Sequence, residues 1–216
     1  MGNPTKAELI SAPPGSVDTQ ALRFEGLRGD PSRHLDRAEL LRRLDALPAA
    51  PRDEGTLDRL LARGPDGSRK PLNSAMLTVE GGLPGDRWAD SPKYGPDYQL
   101  ATIRTDYARV VANGQDLALH GDNLFVSLDL SADNLPIGSQ LALGDARLEV
   151  TPVAHNGCKK WVQRFGLAAM QLHLEAAMRP RNLRGIYLRV VVEGEVKVGD
   201  GVRVLRRGFG PTGEIG

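Results

Sequence analysis

The spacing of apolar positions divides the chain into a sparse front section and a strand-rich remainder. The first thirty residues carry little periodicity and much punctuation (Pro4, Pro13, Pro14, Gly15, Gly26, Gly29), leaving room for one strand around Ala21 to Phe24. A helix is predicted next. Asp36 and Glu39 stand at capping-box spacing, Leu35 and Leu40 occupy the staple positions, and Leu40, Leu41, Leu44 and Leu47 share a face until Pro48. Thr56 to Ala62 also fits a short helix, with Thr56 as its cap and Gly64 beyond its end.

From Ser74 onward the pattern is mostly that of strands. Met76–Val79, Tyr98–Ile103 and Leu124–Leu128 are short apolar runs, and Gln140–Leu143 with Arg147–Thr151 flank Gly144-Asp145 as a hairpin. Ile186–Val192, Val196–Val198 and Val202–Leu205 close the series, separated by Glu193-Gly194 and Gly199-Asp200-Gly201. Helices interrupt at Thr105–Ala112, ended by Asn113-Gly114, and at about Leu167–Met178. Short strands with glycine turns and a few helices predict a mainly β fold, a barrel with several peripheral helices. A doubly wound sheet needs regular strand–helix alternation, which this pattern lacks. The expected organisation is an N-terminal elaboration with one or two helices packed on the main domain over 1–70, a barrel domain over 71–206, and a tail over 207–216.

Composition narrows the class. The chain has 216 residues, 40 % of them hydrophobic and 25 % charged, which suits a soluble globular protein. Lys plus Arg total 28 and Asp plus Glu 27, so no global field draws the protein to nucleic acid or a membrane surface. Aromatics at 5 % leave few stacking platforms for single strands. One cysteine excludes an intrachain disulfide framework and an all-cysteine metal site. The N-terminal residues open no apolar run, and Lys6 stands where myristoylation needs Ser or Thr. A cytoplasmic location is expected.

The richest segment chemically runs from His155 to Phe165. It places the sole thiol, Cys158, at a loop-to-helix transition beside Lys159 and Lys160, with Arg164 six residues on. Neighbouring cations favour thiolate, the form that attacks electrophiles, carries a persulfide or ligates a soft metal. A lone cysteine is more often an inert core residue, but polar, cationic neighbours do not suit a core filler. His155 is a candidate general base for Cys158, and a solvent-facing loop histidine fits the spacing equally well. Gly81 to Trp88 is a flexible turn in which Arg87 offers a planar fork for phosphate or carboxylate. Arg179, Arg181 and Arg184 cluster before a strand, as a solvated face or a phosphate site. Asn123, in a turn before a strand, can donate and accept at a ligand edge. His34, His120 and His173 read as structural or surface residues.

In order, Gly85-Asp86-Arg87, Gly121-Asp122-Asn123-Leu124-Phe125-Val126, Leu135-Pro136-Ile137-Gly138, Leu143 to Thr151, Cys158-Lys159, Arg184-Gly185-Ile186-Tyr187, Gly194 and Val198-Gly199-Asp200 resemble the MOSC domain. This module is named after the C-terminal part of molybdenum-cofactor sulfurase, and the similarity runs from about Leu72 to Leu205. The resemblance implies a barrel that binds the pterin molybdenum cofactor (molybdopterin) or handles sulfur for metal-sulfur cofactors. It implies Cys158 as molybdenum ligand or sulfur carrier, with Arg87, Lys159, Arg181 and Arg184 toward the cofactor's anionic end and Asn123 toward its pterin. Relatives include reductases of N-hydroxylated compounds. A small-molecule substrate and separate electron-donor proteins are therefore expected, while nucleic acid, a membrane and pyridoxal phosphate are not. The alternatives are a persulfide carrier on Cys158, a thiol hydrolase using Cys158 and His155, and a non-catalytic cofactor-binding domain. The sequence departs from many relatives at Trp88, where they have His, and at Gly157, where they have Pro.

Overall fold

A computed structural model describes residues 4–91 and 94–209; of the predicted tail, 210–216 lie outside the described residues. Its strands are β1 (Glu54–Arg63), β2 (Arg69–Leu72), β3 (Ser74–Leu77), β4 (Leu100–Arg104), β5 (Leu124–Val126), β6 (Gln140–Leu143), β7 (Ala146–Val150), β8 (Ile186–Val192), β9 (Gly194–Lys197) and β10 (Gly201–Arg206). Its α-helices are α1 (Lys6–Ser11), α2 (Arg37–Asp45), α3 (Thr105–Ala112), α4 (Lys159–Phe165) and α5 (Leu167–Leu174). The strands β1, β10, β6, β7, β8, β4 and β5 pair in that order, and β5 returns to β1, so the sheet closes into a barrel. β2 extends the sheet beyond β1, and β3 and β9 form a separate pair. The closed mixed barrel with peripheral helices is the predicted fold class.

One pairing in the barrel is parallel, β4 with β5, in the register Thr102↔Leu124 and Ile103↔Phe125. Parallel neighbours need a crossover, and α3 begins immediately after β4 to supply it. This pair is covered on both sides. Leu100, Leu124 and Val126 enter the barrel core, while Ile103 and Phe125 face a second core beneath the helices. That is why β5, Leu124-Phe125-Val126, reads as an unbroken apolar run. The second core gathers Leu9 of α1, Leu40 and Leu44 of α2, Tyr107 and Val111 of α3, and Trp161, Phe165 and Met170 of α4 and α5.

Three sequence expectations are corrected. Thr56–Ala62 is not a helix but most of β1, paired with β10, β5 and β2. Its leucines mimic a helical face because the register against β5 shifts between Leu57 and Arg59. An extra residue resets the two-residue alternation, so Leu57 and Leu60 both enter the barrel core although they stand three apart. The sheet thus begins at Glu54, with β1. Ala21–Phe24 forms no strand; Leu22 is buried in the second core from an irregular segment. The last helix stops at Leu174, where Glu175 turns extended and binds Arg37 of α2. α1 was not anticipated, although Thr5 and Glu8 form a reciprocal capping box at its start.

Two histidines are sealed in the helical core. His173 shares a 2.7 Å hydrogen bond with the Tyr107 hydroxyl, and His120 Nε2 lies 2.9 Å from the Ala108 carbonyl. Burial, reinforced by the Arg184 charge, pulls His173 down to about 3 and His120 well below the usual imidazole range. Both stay neutral in the folded state as the pH falls, whereas the unfolded chain takes up protons near 6.5. Stability should therefore fall between pH 7 and pH 5, by roughly 1.4 kcal/mol per pH unit for each fully titrating histidine. Urea midpoints across this window test it; a flat profile would show that the two rings are not held neutral.

Candidate cofactor cleft

β7 ends at Val150, and the following loop delivers Cys158 to the start of α4 as its N-cap residue, with the thiol exposed. The sulfur opens on a cleft of about 660 Å³. Its walls come from the β1 and β2 ends (Arg63, Arg69), the loop after β3 (Arg87, Trp88), the Gly121 turn before β5, the 154–158 loop, α4 (Lys160, Trp161, Arg164) and the start of β8 (Arg184, Tyr187). Lys6 of α1, Ser91, Tyr94, Tyr98 and the largely buried His120 also line it. Among the described residues, no carboxylate lines the cleft.

Carboxylates lie just behind the wall and aim two of its arginines. Asp86 takes both ends of the Arg63 fork at 2.8 Å and also accepts from the Arg63 and Trp88 backbone amides. Burial alone would raise the Asp86 carboxyl, but the Arg63 hydrogen bonds and charge outweigh it and hold it below the usual range. Asp122, fully buried, accepts from Arg184 Nη1 at 2.8 and 2.9 Å. Here desolvation prevails over Arg184, and the Asp122 carboxyl is raised. The Arg184 guanidinium also lies 4.1 Å from the centre of the Trp161 ring.

The remaining cations have no such counterweight. Arg69 donates to the Gly67 and Ser68 carbonyls, and Arg164 to those of Leu27 and Leu119. Desolvation and the charges around them lower both to about 10. They remain charged at neutral pH, but four like charges (Arg69, Arg87, Lys160, Arg164) repel one another here. Gly121, at φ +74°, makes room for the cluster, since a Cβ there would stand 2.9 Å from an Arg69 guanidinium nitrogen. Several buried polar atoms of the lining also lack hydrogen-bond partners: Arg69 Nε, Arg184 Nε, His155 Nδ1 and Trp161 Nε1. Buried polar groups are normally satisfied, so unpaired ones converging on a cleft await a polar guest.

Of the residues singled out from sequence, Cys158, His155, Arg87 and Arg184 meet in this cleft, whereas Lys159, Arg181 and Asn123 do not line it. Asn123 is fully buried and spends its carboxamide on structure, accepting from the Ala101 amide and donating to Leu61 O and Asp86. It has no hydrogen left for a pterin. Arg181 is exposed and touches the Met178 sulfur. His155 packs on Tyr187 with ring centres 4.3 Å apart, and its Nδ1 stands 3.6 Å from Asp122, beyond hydrogen-bond reach. Burial, then the Arg184 charge, pushes its pKa well down. Among the described residues, no hydrogen bond joins it to Cys158. Sequence reasoning missed Arg63 and Arg69, which follow the stretch misread as a helix, and gave no ligand role to Lys160 or Arg164.

The family model described as the MOSC domain matches residues 93–203. The chain belongs to the MOSC domain family. This family is associated with molybdenum-cofactor binding. The uncharacterized protein YflK of Bacillus subtilis (strain 168) is 28 % identical over 149 residues, which is 65 % of this chain and 63 % of YflK. The chain thus spans less than two thirds of that relative's length. Two crystal structures share the fold. YuaD of Bacillus subtilis has a TM-score of 0.52 at 19 % identity, covering 72 % of this chain and 98 % of its own. YiiM of Geobacillus stearothermophilus has 0.51 at 16 %, covering 72 % and 77 %. The matched MOSC span holds Cys158, Lys160, Arg164 and Arg184, while Lys6, Arg63, Arg69 and Arg87 lie before it.

The buried ion pair makes a direct prediction. Asp122→Asn strands the Arg184 charge in the wall and should destabilise the protein by about 3–5 kcal/mol. Urea denaturation measures this, and a loss well under 1 kcal/mol would mean that the pair does not aim Arg184.

Proposed function

We propose that this MOSC protein binds the molybdenum cofactor in the cationic cleft and reduces small N-hydroxylated substrates. The observation that carries the reading is one exposed thiol opening on a cleft lined by cations and, among the described residues, by no carboxylate. The residues fit the group. Cys158 is the exposed sulfur available to molybdenum, a soft-ligand role. Arg69, Arg87, Lys160 and Arg164 suit the phosphate end, where guanidinium forks match phosphate oxygens. The unpaired donors Arg184 Nε and Trp161 Nε1 suit polar edges of the pterin. When bound, the cofactor supplies two-electron redox chemistry at its metal.

The chain's own contribution is binding, orientation and field. Arg63 and Arg184, each neutralised by a buried aspartate, act as oriented donors rather than as bare charges. The free cations beyond them set the anionic end of the guest. Neutral His155 offers its unpaired Nδ1 at the wall as a hydrogen-bonding group and not as a base for Cys158. Trp88, Tyr98 and Tyr187 give the cleft an aromatic side, with Tyr98 and Tyr187 meeting edge to face, against which a substrate ring could pack. Electrons come from separate donor proteins in this reading.

Protein purified from a host that makes the cofactor should carry molybdenum near one per chain and yield a fluorescent pterin after oxidation. Cys158→Ser should lose most of the metal while keeping its fold. Metal-free wild type from such a host would defeat the proposal. A mass increase of about 32 Da on Cys158, removed by reductant and present without molybdenum, would favour a persulfide carrier instead.

A further inference from the structure

The cation cluster poses a physical problem that the cofactor reading leaves open. Lys160 and Arg164 stand four residues apart on one face of α4, the spacing at which like charges repel. Arg69 and Arg87 add to that repulsion, and no carboxylate among the described residues binds any of the four. Arg164 is buried and held by the Leu27 and Leu119 carbonyls, so the long, flexible Lys160 side chain is the one that repulsion should swing away into water. A carboxylate between them would hold them but cancel the charge that a ligand needs.

An aromatic ring does the first without the second. Phe24 lies beneath the pair, with Lys160 Nζ 5.8 Å and the Arg164 guanidinium carbon 5.9 Å from its ring centre. The Arg28 guanidinium carbon is 5.2 Å away. All are within the range of cation–π attraction. The segment that carries Phe24 is fastened to α4. Leu27 O accepts from Arg164 Nε at 2.9 Å, and Gly29 exchanges two hydrogen bonds with the Gln163 carboxamide, at 2.9 and 3.1 Å. Gly29 passes so near the Arg164 backbone that a Cβ would overlap it. Arg28 closes the segment on itself through the Leu22 and Gln20 carbonyls.

We propose that Phe24 is a positioning residue for the cleft's anion site, its ring holding Lys160 beside the buried Arg164 while leaving both charges free for a phosphate-bearing guest. The proposal rests on reading the cleft as an anion site. It gives a function to a segment outside the span matched by the family model.

The single thiol provides the test. Inorganic pyrophosphate should slow alkylation of Cys158 by iodoacetamide in full-length wild type, with a measurable midpoint concentration. Phe24→Leu keeps an apolar side chain but removes the π face, and should raise that midpoint about three- to tenfold. Phe24→Tyr restores the face and should return the midpoint to within about twofold of wild type. Urea midpoints of the two variants should agree, which separates positioning from a general loss of packing. If Phe24→Leu alone lowers the urea midpoint, Phe24→Met takes its place in the comparison. Equal protection in Phe24→Leu and wild type would overturn the proposal, as would failure of Phe24→Tyr to restore it. Wild type left unprotected by pyrophosphate would also overturn it. Absence of molybdenum from the purified protein would defeat the cofactor reading and leave the pyrophosphate result standing.

Discussion

Two buried carboxylates organise the cleft from behind. Asp86 and Asp122 are at most 2 % exposed, and each is tied to an arginine whose other atoms face the cleft. In a medium of low polarity an isolated carboxylate is very costly, so each aspartate is tolerable only with its guanidinium in place. The dependence runs both ways. Asp86 also binds the Asn123 side chain, whose carboxamide reaches the backbone of both β1 and β4. The Asp86–Arg63 pair therefore joins β1 and β4 to the cleft wall.

This arrangement explains why the family motifs were legible while their roles were not. Gly85-Asp86-Arg87 and Gly121-Asp122-Asn123 are recognisable as strings, yet a string does not show which side chain points inward. Asp86 points away from the cleft, and Arg87 lines it. Asn123 looked like a ligand contact because its chemistry allows one, but three buried backbone and carboxylate partners had already claimed it. Local signals fared better. The Gly144-Asp145 hairpin and the helix over Thr105–Ala112 appear where alternation and capping placed them, because their determinants lie within a few residues. β1 failed for the opposite reason. Its identity depends on a register shift against β5, a partner more than sixty residues away, and no local window contains that information.

The wall of the cleft has two electrostatic characters. Arg63 and Arg184 are compensated from behind and present direction more than charge. Arg69, Arg87, Lys160 and Arg164 are uncompensated, and burial together with mutual repulsion already brings Arg69 and Arg164 to about 10. The free protein stores that repulsion, and a dianionic group entering the cluster would relieve it. A guest with one neutral polar end and one anionic end is thereby told which way to lie. Charge alone would attract any phosphate; fixed donors beside free cations would favour a guest carrying both functions.

The front section of the chain, which showed so little periodicity, closes this site. Lys6 on α1 reaches the cleft, and α1 is held against α5 by Gln171, whose Nε2 donates to the Ala12 carbonyl at 2.7 Å. The following segment lays Phe24 beneath α4. Such a segment needs no amphipathic repeat, because its hydrogen bonds go to side chains of α4 rather than to a ladder of its own. Irregular sequence here reflects a path dictated by the helix it crosses: a glycine where the two backbones nearly touch, and an aromatic ring where two cations must be kept side by side. The barrel supplies the frame and the thiol, and the N-terminal segment gathers the positive charge that the frame alone would let disperse.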